Sequence, residues 1–117
     1  MSSCKPVTEE VLDALRKELG SENVLTAPEK LDAYKTDEET NPQYFHLPEA
    51  VVAPGTVEEV AAVVKLANKY LFPLTVRSAG TSLAGGAIPV CGGVVLLLER
   101  LNKVIEVNRD AMFMVVE

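Results

Sequence analysis

The period of the apolar positions changes near residue 48. Before it, Val11, Leu12, Leu15 and Leu19 recur at helical spacing. Thr8 stands ahead of them as an N-cap and Gly20 behind them as a stop, which predicts a helix beginning at Glu9. Pro28 suits the first turn of a second, short helix, with Leu31 and Tyr34 facing inward. Residues 35–48 are polar and without period. They read as a loop resting on the body through Tyr44 and Phe45.

Beyond Pro48 the chain alternates short β-prone runs with one helical stretch. Ala50-Val51-Val52-Ala53 is a strand candidate, halted by Pro54-Gly55. Thr56-Val57-Glu58-Glu59 is a capping box, with Thr56 accepting from the Glu59 N–H and Glu59 reaching back. The helix that follows is expected to bury Val57, Val60, Ala61, Val64 and Ala67 as one stripe. Leu71-Phe72-Pro73 ends it, and Leu74-Thr75-Val76 is the next strand. Strand, helix, strand over this span predicts a parallel βαβ unit with a right-handed crossover. Three apolar runs follow, at 94–98, 104–107 and 112–116. Asn108-Arg109-Asp110 is a turn signal, so the last two should pair antiparallel. The predicted class is α+β, an α/β-like βαβ unit followed by strands. Residues 1–47 form a helical segment and loop, and 48–117 form the start of a larger domain. The strand-like run at Glu117 predicts a chain that continues in the complete protein.

Composition narrows the function. The chain has 117 residues, 48% hydrophobic and 24% charged, as in one globular domain. Its net charge is −6 with scattered Lys and Arg, which excludes the basic footprint of a nucleic-acid binder. The run Asp37-Glu38-Glu39 reads as a solvated loop, and the lone His46 as a solvated side chain. Cys4 and Cys91 are far apart with no CxxC, so no zinc or redox pair is indicated. Cys91 is expected to be a buried or half-buried thiol. No apolar segment precedes Cys4, and no apolar run has bilayer length. A reduced, cytoplasmic protein is the expectation.

Chemistry concentrates in V-R-S-A-G-T-S-L-A-G-G-A-I-P, residues 76–89. A Walker A loop needs Lys and Ser or Thr after its second glycine, but Gly86 and Ala87 stand there. A Rossmann fingerprint must open a long helix, which Pro89 prevents. A third chemistry remains. Gly and small hydroxylated residues let the main chain curl until successive N–H groups converge on an anion. A bare connection between strands stays open on composition alone.

Two stretches together resemble a known family. P-E-A-V-V-A-P-G-T-V-E-E-V-A-A-V-V-K-L-A-N, followed by P-L-T-V-R-S-A-G-T-S-L-A-G-G-A-I-P, is similar to the FAD-binding domain of the vanillyl-alcohol oxidase and para-cresol methylhydroxylase superfamily. Within it, the glycolate oxidase flavin subunits and D-lactate dehydrogenases resemble it most. The resemblance covers residues 48–117, with a looser match at Tyr34 to Asp37. It implies FAD held by its pyrophosphate at Arg77, Ser78, Ala79, Gly80, Thr81 and Ser82, continuing to Gly86 and Ala87. The amides of Ser78, Ala79, Gly80 and Thr81 would face the phosphates, with the Thr81 and Ser82 hydroxyls assisting. Arg77 would contact phosphate or pair with an acidic neighbour. Ser78 replaces a frequent family Gly, which is tolerable at negative φ. Thr81 stands where some members carry a flavin-linking His, so this loop would hold FAD non-covalently.

The resemblance further implies oxidation of a 2-hydroxy acid such as glycolate or D-lactate, with hydride passing to the flavin. It places catalytic residues beyond residue 117 and names iron–sulfur partner subunits as known in the family. The alternative is a free-standing FAD- or nucleotide-binding or interaction module without catalysis. A stop codon directly after Glu117 would favour the module, and a long open frame the enzyme. The segment alone should fold but hold FAD weakly, and its exposed strand edge should favour pairing between copies.

Overall fold

The computed structural model describes residues 4–117. Helix α1 (Glu9–Leu19) begins where Thr8 Oγ1 accepts from the Val11 N–H at 3.4 Å. It ends at Gly20, which takes φ +83 and donates its N–H to Arg16 O. Strand β1 (Val24–Leu25) follows, then α2 (Pro28–Leu31) with Pro28 in its first turn. Two residues carry no readable period, which is why the sequence gives no sign of β1. Residues 35–48 are irregular apart from a 3₁₀ turn at Pro42–Tyr44.

The second half contains β2 (Ala50–Val52), α3 (Val57–Tyr70), β3 (Leu74–Arg77) and β4 (Val94–Leu97). The four-stranded sheet runs β1-β2-β4-β3, so β4 lies between the two strands that α3 connects. β2 and β3 are both parallel to β4, with Val51 and Thr75 each opposite Val95. β1 pairs antiparallel on the far side of β2. The capping box of α3 forms: Thr56 Oγ1 accepts from the Glu59 N–H at 3.1 Å. Glu59 reaches one residue further back than expected, to the Gly55 N–H at 2.6 Å.

Helices cover both faces of the sheet, so β4 is buried at every position. Ala50, Val52, Val94 and Leu96 face α1 and α3, packing with Val11, Leu15, Leu19, Val63 and Phe72. Val51, Val95 and Leu97 face the other way and pack with Leu31 and Tyr34. The stripe expected of α3 is corrected. Val57 is 71% exposed, Val64 is 40% exposed and Ala61 is exposed. The buried line is Val63, flanked by Val60, Leu66, Ala67 and Tyr70. Val and Ala surround this helix, so its sequence offers two stripes and only packing against α1 and Phe72 selects one. Cys91 is exposed rather than buried, because the turn at 90–92 lies on the surface.

β5 (Val104–Asn108) and β6 (Phe113–Val116) pair antiparallel as expected, in a sheet of their own. Asn108 Oδ1 accepts from the Ala111 N–H at 2.8 Å and sets the turn. Apolar side chains of this hairpin are exposed, including Ile105, Phe113, Met114 and Val116.

The corrected stripe is directly measurable. Val63→Ala should lower unfolding stability by about 2 kcal/mol, since it removes two buried methyl groups. Val64→Ala should change it by less than about 0.5 kcal/mol. Urea unfolding followed by circular dichroism compares the two, and equal losses would contradict this packing.

Candidate phosphate-binding loop

β3 and β4 are parallel neighbours, so the chain must return to the starting end of the sheet between them. Such returns usually contain a helix; here residues 78–93 make the journey without one. Their backbone polar groups therefore need other partners or a ligand. The second half of the loop is well tied. Ala87, Ile88 and Pro89 are buried, and the Ile88 N–H donates to Gly85 O at 3.1 Å. Gly93, at φ +72, brings the chain into β4 where any Cβ would strike the Pro73 carbonyl. Glu49 fixes that point, accepting from the Gly93 N–H at 2.8 Å and from the Val7 N–H at 3.0 Å.

The first half is different. Among the described residues, the N–H groups of Ser78, Ala79, Gly80 and Thr81 donate to no acceptor. They border an open cleft of about 290 Å³. Seven of the eight residues singled out from the sequence line it: residues 78–82, Gly86 and Ala87, together with Val76. No carboxylate is among the lining residues. Ser78 keeps a negative φ, as its tolerance required.

Arg77, the eighth, does not line the cleft. Its Nη1 donates to Thr36 O at 2.6 Å, and its guanidinium lies over the Tyr34 ring, 5.6 Å from the centroid. It pairs with no carboxylate among the described residues. The guanidinium sits directly beneath Gly80, whose φ is +74 and whose Cβ, if it had one, would collide with it. Ser82 also serves the loop itself. Its Oγ accepts from the Ala84 N–H at 3.2 Å and from the Gly86 N–H at 3.3 Å. Thr81 carries the hydroxyl left free to assist a ligand.

Sequence reasoning missed the partner segment. The Glu38 N–H donates to Ser82 O at 3.0 Å, joining residues 36–39 to the loop. Asp37 is half-buried rather than solvated, and its Oδ1 accepts from the Glu39 N–H at 2.9 Å. Oδ2 is buried and has no hydrogen-bond partner among the described residues. Desolvation pushes this carboxyl up, but the Glu39 amide, the Ala87 amide and the Ser82 hydroxyl outweigh it and hold it below the ordinary value. An acidic run in a loop looks solvated, and only its contact with residues 82–87 shows otherwise. His46 is likewise positioned, with Nδ1 2.8 Å from Tyr44 O and its N–H donating to Lys35 O.

Four free amides, small side chains and no lining carboxylate fit a diphosphate. The family described as "FAD binding domain" matches residues 48–117. The chain belongs to this family. FAD is its cofactor, and the cleft sits within the matched span. The chain is 31% identical over 104 residues to glycolate oxidase subunit GlcD of Bacillus subtilis, covering 89% of this chain and 22% of that protein. It is 42% identical over 84 residues to D-lactate dehydrogenase of Archaeoglobus fulgidus, covering 68% and 18%. The solved structure of p-cresol methylhydroxylase with substrate bound superposes with a TM-score of 0.77 at 33% identity, covering 90% and 22%. The chain spans about a fifth of the length of the curated relatives it matches. Among the described residues, no helix is long and apolar enough to cross a membrane.

Two outcomes test the loop. Gly80→Ala should cost roughly 1–2 kcal/mol, because the left-handed φ must be kept and Arg77 displaced. Gly86→Ala, whose Cβ would meet only Ser82 Oγ at 3.5 Å, should be nearly neutral; urea unfolding compares them. The Asp37 carboxyl is depressed in the folded chain, so it binds a proton less readily than when unfolded. Its contribution is therefore present above the unfolded value of about 3.9 and is lost as pH falls through the lower folded value. Asp37→Asn should accordingly be less stable than wild type above that range and converge with it in acid. Parallel curves from neutral to acid pH would contradict the assignment.

Proposed function

We propose that this chain is the N-terminal FAD-binding segment of a longer flavoprotein that oxidises a 2-hydroxy acid such as glycolate or D-lactate. The observation that carries the reading is the cleft bordered by the free amides of Ser78, Ala79, Gly80 and Thr81. Those amides take the diphosphate charge, and the Thr81 hydroxyl adds a donor. An acidic chain can do this because the contacts are short-range and no carboxylate lines the cleft. Bound FAD supplies a hydride acceptor. Attachment is non-covalent at this loop, since Thr81 offers no ring nitrogen and His46 is tied to Tyr44 O.

The hydroxy-acid class is supported by relatives named glycolate oxidase and D-lactate dehydrogenase. A relative named 4-cresol dehydrogenase flavoprotein subunit, 35% identical over 101 residues, marks the phenol class as the rival. Two of these names describe subunits, which supports a partner subunit for the complete protein. The free thiols Cys4 and Cys91 support a reducing, cytoplasmic setting.

Anaerobic mixing of the complete flavoprotein with glycolate or D-lactate should bleach its visible flavin absorbance. Bleaching by 4-cresol alone would overturn the substrate class. The 117-residue chain by itself should bind FAD more weakly than about 1 μM in calorimetry. Four amide bonds to a charged group contribute about 1.5–3 kcal/mol each. Immobilising the dinucleotide costs roughly 4–15 kcal/mol, which offsets most of that. Tighter binding would mean that this segment holds most of the site.

A further inference from the structure

The cleft-lining amides and Arg77 belong to the family match, but the groups on which Arg77 ends do not. Residues 78–81 make no hydrogen bond of their own among the described residues, so their conformation needs outside support. Two supports reach them. Arg77 leaves the end of β3, passes beneath Gly80 and ends on Thr36 O and the Tyr34 ring. Its planar fork suits this double task, donating at one edge and stacking on an aromatic face. Tyr34 itself packs on the core cluster of Leu31, Val51, Val95 and Leu97, so the platform is fixed to the sheet. The second support is the turn at Asp37, whose Oδ1 accepts from the Glu39 N–H at 2.9 Å while the Glu38 N–H holds Ser82 O at 3.0 Å. Thr36 Oγ1 closes the supporting turn by donating toward Asp37 O and Glu39 O at 3.2 and 3.1 Å. All of these partners precede residue 48, where the family match begins.

We propose that Arg77 and Asp37 are positioning residues that brace residues 78–87 against the segment 34–38, and that this brace presents the free amides to the diphosphate. The inference rests on the FAD reading above. It reassigns Arg77 from a phosphate contact to a strut, and gives the helical segment ahead of the matched domain a part in cofactor binding.

The test uses the isotopically labelled 117-residue chain. Amide exchange at Gly86 and Ile88 is read without FAD, then FAD is titrated and followed by amide shifts. Arg77→Ala and Asp37→Asn should each speed loop exchange at least about tenfold while Val52 and Val95 stay protected. If the competent loop falls to about a tenth of the population, FAD affinity falls about tenfold. Arg77→Lys keeps one donor to Thr36 O and should recover part of both losses. Unchanged loop exchange, or faster exchange with unchanged affinity, would overturn the brace. If Arg77→Ala also exposes Val95, Tyr34→Leu decides, since it removes only the platform; unchanged exchange there overturns the proposal equally. Absence of flavin from the purified complete flavoprotein would instead overturn the FAD reading, while the exchange arm still decides whether the brace shapes the loop.

Discussion

The parallel pairing of β4 between β2 and β3 governs the rest of the molecule. Each parallel contact forces the chain to travel back before the next strand can start. The first return is α3, which covers one face of the sheet. The second is the loop at 78–93, which has no helix to satisfy its backbone. A segment of unpaired amides at the end of a buried strand follows from that topology. Gly93 makes the arrangement possible, because the loop enters β4 through a space that only a residue without Cβ can occupy.

The loop divides its labour along its length. Residues 87–89 are buried and anchor it, and Ser82 uses its hydroxyl to fold the tip over Ala84 and Gly86. Residues 78–81 are left with free donors. Anion binding here depends on oriented dipoles rather than on cationic side chains, which suits a chain of net charge −6. The one cation at the loop, Arg77, is turned away from the cleft.

The segment between α2 and β2 links the two halves of the chain. It contributes Tyr34 to the core face opposite α1 and α3, and its Glu38 N–H holds Ser82 O of the loop. Glu49 makes a comparable link on the other side, joining Val7 to Gly93. Both ends of the loop at 78–93 are thus held by residues that precede the matched domain or open it.

Local chemistry was legible in the sequence wherever neighbours along the chain decide it. The Thr8 and Thr56 caps, the Gly20 stop, the Asn108 turn and the β-prone runs all involve residues a few positions apart. The glycine-rich loop was legible too, because small residues between two apolar runs need a reason; its eight candidate residues came from the family resemblance, and seven of them line one cleft. The sequence could not choose between two apolar stripes on α3, since Val63 and Val64 differ only in what packs against them. It could not place β4 between β2 and β3, nor reveal β1, because strand order depends on partners distant in the chain. The direction of Arg77 and the half-burial of Asp37 were decided in the same way. A charged side chain's partner stays open in the sequence until tertiary contacts, here across more than forty residues from Thr36 to Arg77, supply it.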